Sequence, residues 1–230
     1  MAHVIEPATS GRAKCRGCGE KIVKDELRFG EVTENPFGEG DRTLWFHPVC
    51  GAYKRPEPFI EAMAATLIED GSVADLEAIE TPAAHGQTIA WLRDQSRVGL
   101  NHPLLPRIDG AGRAPTGRAH CRSCREPINK DDWRIGLVYY EEGYFNPSGF
   151  IHVGCWRAYF ETEDEERARV EGDGEREKPA GEEGDGERTE GERADGGSLE
   201  AGMVLARVAH FSPELTPTDL AAIHGELRSS

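Results

Sequence analysis

Gly11-Arg12-Ala13-Lys14-Cys15-Arg16-Gly17-Cys18 and Gly117-Arg118-Ala119-His120-Cys121-Arg122-Ser123-Cys124 are two copies of one phrase, set 106 residues apart. The correspondence continues through Lys24-Asp25, Arg28 and Gly30 in the first copy and Lys130-Asp131, Arg134 and Gly136 in the second. Each copy closes on His-x-x-Cys, His47 to Cys50 and His152 to Cys155, now 105 residues apart, so the second copy has one residue fewer between its halves. All six cysteines of the chain lie in these two patterns. Two thiols on a Cys-x2-Cys turn plus a His and a thiol on a later turn make a tetrahedral nitrogen–sulfur donor set with no open position, as structural zinc requires. The sequence therefore predicts two structural Zn2+ ions, one held by Cys15, Cys18, His47 and Cys50, the other by Cys121, Cys124, His152 and Cys155. Binding of this kind is worth on the order of 10 kcal/mol, enough to fold a unit this small. His120, beside Cys121, has Lys14 as its counterpart and is expected at the surface.

Outward from the ligands, each unit reads as a β-hairpin followed by a short helix. Glu26 to Thr33 and Arg42 to His47 are the strands of the first, joined by a Gly/Pro/Asn loop; Asp132 to Tyr140 and a return strand from Gly149 make the second. The fold expected is α+β: a flexible lead-in (1–10), finger 1 (11–55), a helical module (56–98), a Pro/Gly linker (99–116), finger 2 (117–160), a disordered acidic linker (161–198) and a helical hairpin (199–230). Apolar spacing at Phe59, Ile60, Met63, Leu67 and Ile68 marks the first helix of the module, with shorter ones at 73–79 and 86–97. Thr216-Pro217-Thr218-Asp219 is a helix start with a cap, a proline and an acid in their usual places. The hairpin is too small to stand alone, so it is expected to dock on a protein partner, on itself or on the fingers.

The chain carries a net charge of −15, but unevenly. Residues 161–198 hold 16 acidic and 6 basic side chains, whereas residues 1–55 hold 9 basic against 8 acidic and residues 111–160 hold 7 against 5. The two cysteine units are cationic islands in an acidic chain, and a local basic face matters more to phosphate binding than the overall sum. With no apolar run of membrane-spanning length, no basic-then-apolar leader and thiols in metal spacing, the chain is expected to be intracellular, in cytoplasm, nucleoid or nucleus, with no membrane partner.

A spacing of Cys-x2-Cys-x28-His-x2-Cys is far longer than that of sequence-reading fingers. With the Gly-Arg-Ala-x-Cys-x-x-Cys opening, the Lys-Asp-x-x-Arg that follows and the Trp-Phe-His-Pro-x-Cys close, it resembles the PARP-type zinc finger. That finger is found in poly(ADP-ribose) polymerase, in one type of DNA ligase and in some DNA 3′-end-processing enzymes. The resemblance implies recognition of DNA strand breaks through shape and exposed base ends. It makes Arg12, Arg118, Arg28 and Arg134 phosphate contacts, which position a protein without specifying sequence. It makes apolar residues of the hairpin loop caps on the exposed base pair: Phe37 in finger 1, beside the mismatched Gly38 and Arg42, and Tyr144, Pro147 and the adjacent Phe145 in finger 2. No Ser/His/Asp cluster, carboxylate pair or phosphate-cradling Gly loop stands out, though His85, His102, His210 and His224 are scattered through the chain. The expectation is a non-enzymatic sensor of broken DNA; the alternative is a zinc-stabilised protein-interaction scaffold, for which the net negative charge argues.

Overall fold

The computed structural model describes residues 2–36, 38–69, 88–161 and 199–230, with the backbone alone for 66–69. Phe37, the helix expected at 73–79 and all but Glu161 of the acidic tract lie outside the described residues.

Each cysteine unit is built on a three-stranded antiparallel sheet, one strand more than a hairpin. In finger 1, β1 (Val4–Pro7) pairs with β2 (Leu27–Glu34), which pairs with β3 (Asp41–Phe46). In finger 2, β4 (Ile108–Arg113), β5 (Trp133–Glu141) and β6 (Tyr144–His152) repeat the order. The outer strands come from segments expected to be a flexible lead-in and a linker. Both are corrected here, because β2 and β5 would otherwise each leave a row of backbone N–H and C=O groups unpaired. The glycines that gave 108–113 its linker composition serve the strand: Gly110 has φ of 91° where the register shifts between Ile108 and Ala111.

Helices cover one side of each sheet. Finger 1 continues into α1 (Pro48–Lys54), α2 (Pro56–Glu69) and α3 (Ile89–Asn101). Phe59, Met63, Ile89 and Leu92 from the last two join Phe29, Phe46, Val49 and Tyr53 in one core. A single 3-10 turn, Leu105–Arg107, leads into β4. Finger 2 ends in a 3-10 turn, Val153–Cys155, and the short α4 (Trp156–Phe160). Its cover is supplied by the C-terminal hairpin, α5 (Ala201–Phe211) and α6 (Pro217–Arg228). Val204, Val208, Ile223 and Leu227 are fully buried in the same core as Ile135, Ile151, Trp156 and Phe160, and Trp156 Nε1 donates to the Leu227 carbonyl at 2.8 Å. Of the three docking possibilities, the hairpin takes the fingers. Its start is the expected one: Thr216 and Asp219 form a reciprocal capping box with Pro217 at the first helical position.

Candidate metal centres and nucleic-acid interface

In each finger the Cys-x2-Cys turn is closed by its own backbone. Cys15 N–H bonds the Glu20 carbonyl and Gly19 N–H the Cys15 carbonyl; Cys121 N–H bonds Glu126 and Arg125 N–H bonds Cys121. The left-handed residue this turn needs is Gly19 (φ 78°) in finger 1 and Arg125 (φ 66°) in finger 2. The backbone N–H of His47 points at Cys15 Sγ (3.3 Å) and that of His152 at Cys121 Sγ (3.4 Å), tying the second ligand pair to the first. The fourth ligand follows on the first turn of α1 in finger 1 and at the end of the 3-10 turn in finger 2.

The predicted ligands converge. The donor atoms of Cys15, Cys18, His47 and Cys50 all lie within 4.8 Å of one another, as do those of Cys121, Cys124, His152 and Cys155. Both histidines turn Nδ1 to the sulfurs, 3.3 Å from Cys18 Sγ and 3.5 Å from Cys124 Sγ. Their Nε2 atoms face outer partners, the Glu26 carboxylate at 3.8 Å and the Pro127 carbonyl at 3.2 Å, as outer-shell groups orient metal-bound imidazoles. The sulfurs demand positive charge. Burial opposes a protonated His47, yet Cys15 and Cys18 beside it raise its imidazole to about 10. A dication in a closed tetrahedron of three thiolates and one imidazole meets that demand, and the two clusters are two structural Zn2+ sites.

The repeated Lys-Asp of the sequence turns out to be conformational. Asp25 and Asp131 take left-handed backbone (φ 65° and 69°), and their N–H groups bond the carbonyls of Ala8 and Ala114. The repeated arginines divide into two kinds. Arg12 and Arg118 are exposed just ahead of the first thiol. Arg28 and Arg134 lie on the central strands, each guanidinium 3.5 Å over an aromatic ring of the neighbouring strand, Trp45 and Phe150. Here the fingers part. Arg28 is buried and bonded to the Glu6 carboxylate, its register partner on β1. The residue facing Arg134 on β4 is Gly112, and no ion pair to Arg134 is recorded among the described residues. Finger 1 in turn pairs Lys14 with Lys21 across its turn, where finger 2 has His120 and Pro127.

The loop residues also separate. Tyr144 is 45% exposed, with the Arg16 guanidinium 5.0 Å over its ring. Phe145 is half-buried. It packs 6.4 Å from Phe46 and 5.0 Å from Tyr140, inside the contact between the fingers. The tip of the β5–β6 hairpin is seated on finger 1: Arg42 donates to the Glu142 carbonyl (2.6 Å) and Tyr140 OH to the buried Glu31 carboxylate (3.3 Å), which also pairs with Arg55. Lys54 completes the joint. Fully buried, it donates to the Ile108 carbonyl (2.6 Å) and the Asp109 carboxylate (3.1 Å). One residue of the first site was not visible as a partner in the sequence: His210 of α5 places Nε2 3.1 Å from Cys50 Sγ, across 160 residues and with no motif to announce it.

These features define a tandem Cys3His zinc-finger protein. Residues 6–80, which contain the first finger, match the family described as the poly(ADP-ribose) polymerase and DNA-ligase Zn-finger region, and the second Cys3His cluster repeats the donor set of the first. The chain is 26% identical over 143 residues to a poly [ADP-ribose] polymerase of Drosophila melanogaster, covering 61% of this chain and 14% of that one. It is 29% identical over 175 residues to poly [ADP-ribose] polymerase 1 of Gallus gallus (69% and 17%). It is 24% identical over 171 residues to the polynucleotide 3'-phosphatase ZDP of Arabidopsis thaliana (68% and 24%). The chain thus spans less than a quarter of the length of these curated relatives. Among the described residues, no helix is long and apolar enough to cross a membrane.

Proposed function

We propose that the chain binds DNA strand breaks (nicks, gaps or ends) by structure rather than sequence, and that it recruits or protects in repair without catalysing a step. The observation that carries this is the pair of Cys3His fingers, the first within the matched family region, each with an exposed arginine three residues before its first thiol and a second arginine on its central strand. Guanidinium forks suit phosphate oxygens, and phosphate contacts hold a duplex without reading its bases. Tyr144 is an exposed loop aromatic that can lie on a broken base pair, a contact worth roughly 1–3 kcal/mol and indifferent to sequence.

Anisotropy titration of zinc-loaded chain against nicked, blunt-ended and intact duplexes at several salt concentrations tests this. Binding that favours broken DNA about tenfold or more, with affinity falling steeply in salt, supports it. Equal weak binding to all three would favour the protein-interaction scaffold instead, which the net charge of −15 and the packing of Phe145 against Phe46 of finger 1 would then explain. Arg118→Ala with Tyr144→Ala is expected to weaken nick binding while leaving both zinc ions bound.

A further inference from the structure

We infer that His210, on the C-terminal hairpin, is an outer-shell hydrogen-bond donor to the first zinc site, so that hairpin docking and zinc retention by finger 1 are one coupled equilibrium. This goes beyond DNA binding and does not depend on it. The imidazole Nε2 lies 3.1 Å from Cys50 Sγ, within the reach of an N–H···S bond. A zinc-bound thiolate has no proton to give, so the ring nitrogen must carry the hydrogen. His210 stands outside the group of four converging donors, which is complete without it, so it supports a ligand rather than being one.

Its aim is set by packing. Tyr53 of α1 meets the ring edge-on (centroids 5.4 Å apart, planes at 81°), and Phe211 meets it at 4.7 Å and 82°. Tyr53 in turn lies under the buried Arg207 of α5, whose guanidinium also bonds the Gln95 carbonyl of α3. The imidazole is thereby held against a fully buried sulfur. Finger 2 has no counterpart: among the described residues, the hydrogen-bond partner recorded for Cys155 is its own co-ligand His152, at 3.9 Å. Three thiolates and a neutral imidazole leave a Zn2+ centre with net negative charge. A hydrogen bond to one sulfur disperses that charge and slows protonation and release of the ligand. Because linkage is reciprocal, zinc in finger 1 must strengthen docking of α5 by the factor that docking strengthens zinc.

The test uses the full chain. Loaded with cadmium-113, it should give two NMR signals, and His152→Cys, which alters the donor set of the second site alone, assigns them. His210→Ala is expected to move the first-site signal and leave the second in place. His210→Gln, which returns an N–H near the same position, should restore most of the shift. With zinc, release to a chromogenic chelator should quicken about tenfold in one of two equal phases for His210→Ala, and return toward wild type for His210→Gln. His224→Ala, on the same hairpin, serves as control and should change neither readout. An unmoved first-site signal, or equal loss in the Ala and Gln variants, would overturn the inference and leave His210 a packing residue.

Discussion

Glu6 and Gly112 hold the same place on their edge strands, facing Arg28 and Arg134, and the difference decides what each arginine can offer. A carboxylate already on the guanidinium competes with phosphate oxygen, so finger 2 is expected to supply the stronger strand-arginine contact. Arg134→Ala should weaken binding to nicked duplex and lower the salt slope by about one. Glu6→Gly should do the reverse in finger 1, tightening binding and steepening the salt dependence. Titrations of both variants check this, and an unchanged Glu6→Gly would make Arg28 purely structural. The ligands also fix a pH response. Burial and the neighbouring Cys121 and Cys124 push the Cys155 thiol up to about 12, so it keeps its proton at neutral pH until zinc displaces it. Lower pH therefore opposes loading, by about tenfold in affinity per pH unit for each proton displaced. Proton release into weakly buffered solution on zinc addition measures it, and no release would contradict the assignment of Cys155 as a ligand. All eight ligands were legible because a metal imposes fixed spacing; the Glu6–Arg28 pairing was not, because register partners on an edge strand leave no periodic trace.

At the scale of elements, the repeat is longer than its cysteine motifs. Ala8 and Ala114 are both fully buried, 106 residues apart, and each closes the loop before its central strand. That correspondence could have placed β1 and β4, but a four-residue strand and a bulged, glycine-bearing one lack the alternation that marks a strand in sequence. The helices of the C-terminal hairpin were legible from their apolar spacing and capping box. Their destination was not, since an amphipathic face does not name what it covers. Gly110 is where that docking is decided: a Cβ there would stand 2.3 Å from Ser212 Oγ and 2.7 Å from the Phe211 carbonyl oxygen, on backbone of φ 91°. Ser212 Oγ also accepts from the Ala111 N–H at 2.7 Å. Gly110→Ala is expected to cost roughly 1–3 kcal/mol, with Tm falling about 2–4 °C per kcal/mol and amide exchange rising in α5 and α6. Unchanged exchange there would show that the contact with β4 does not hold the hairpin.

Across the whole molecule, the two fingers share a joint in which finger 1 cations meet finger 2 groups and Tyr140 OH of finger 2 donates to Glu31 of finger 1. Arg42, Arg55 and Lys54 reach across to the Glu142 carbonyl, the Tyr140 ring and Asp109. Burial lowers the Lys54 pKa, with Asp109 opposing the shift. Truncation removes a buried cation together with the partner of the Ile108 carbonyl. Zinc-loaded wild type should unfold in one calorimetric transition, and Lys54→Ala should lower it or split it in two. A single transition at the wild-type temperature would mean the fingers do not stabilise each other. The packing of Phe145 in this joint was not legible, because an aromatic in a loop reads the same in sequence whether it faces a ligand or the other half of the protein.

The cover of finger 2 is attached to it twice, through residues 162–198 and through the packed faces of α5 and α6. Covalent continuity is then redundant for holding the parts together. A specific protease site engineered into 162–198 and cut under native conditions should yield two polypeptides that co-elute as one particle with both zinc ions. They should come apart in denaturant, or once Gly110→Ala has loosened the docked face. Immediate separation on cutting would show that the tract, and not the packed helices, keeps the C-terminal hairpin in place.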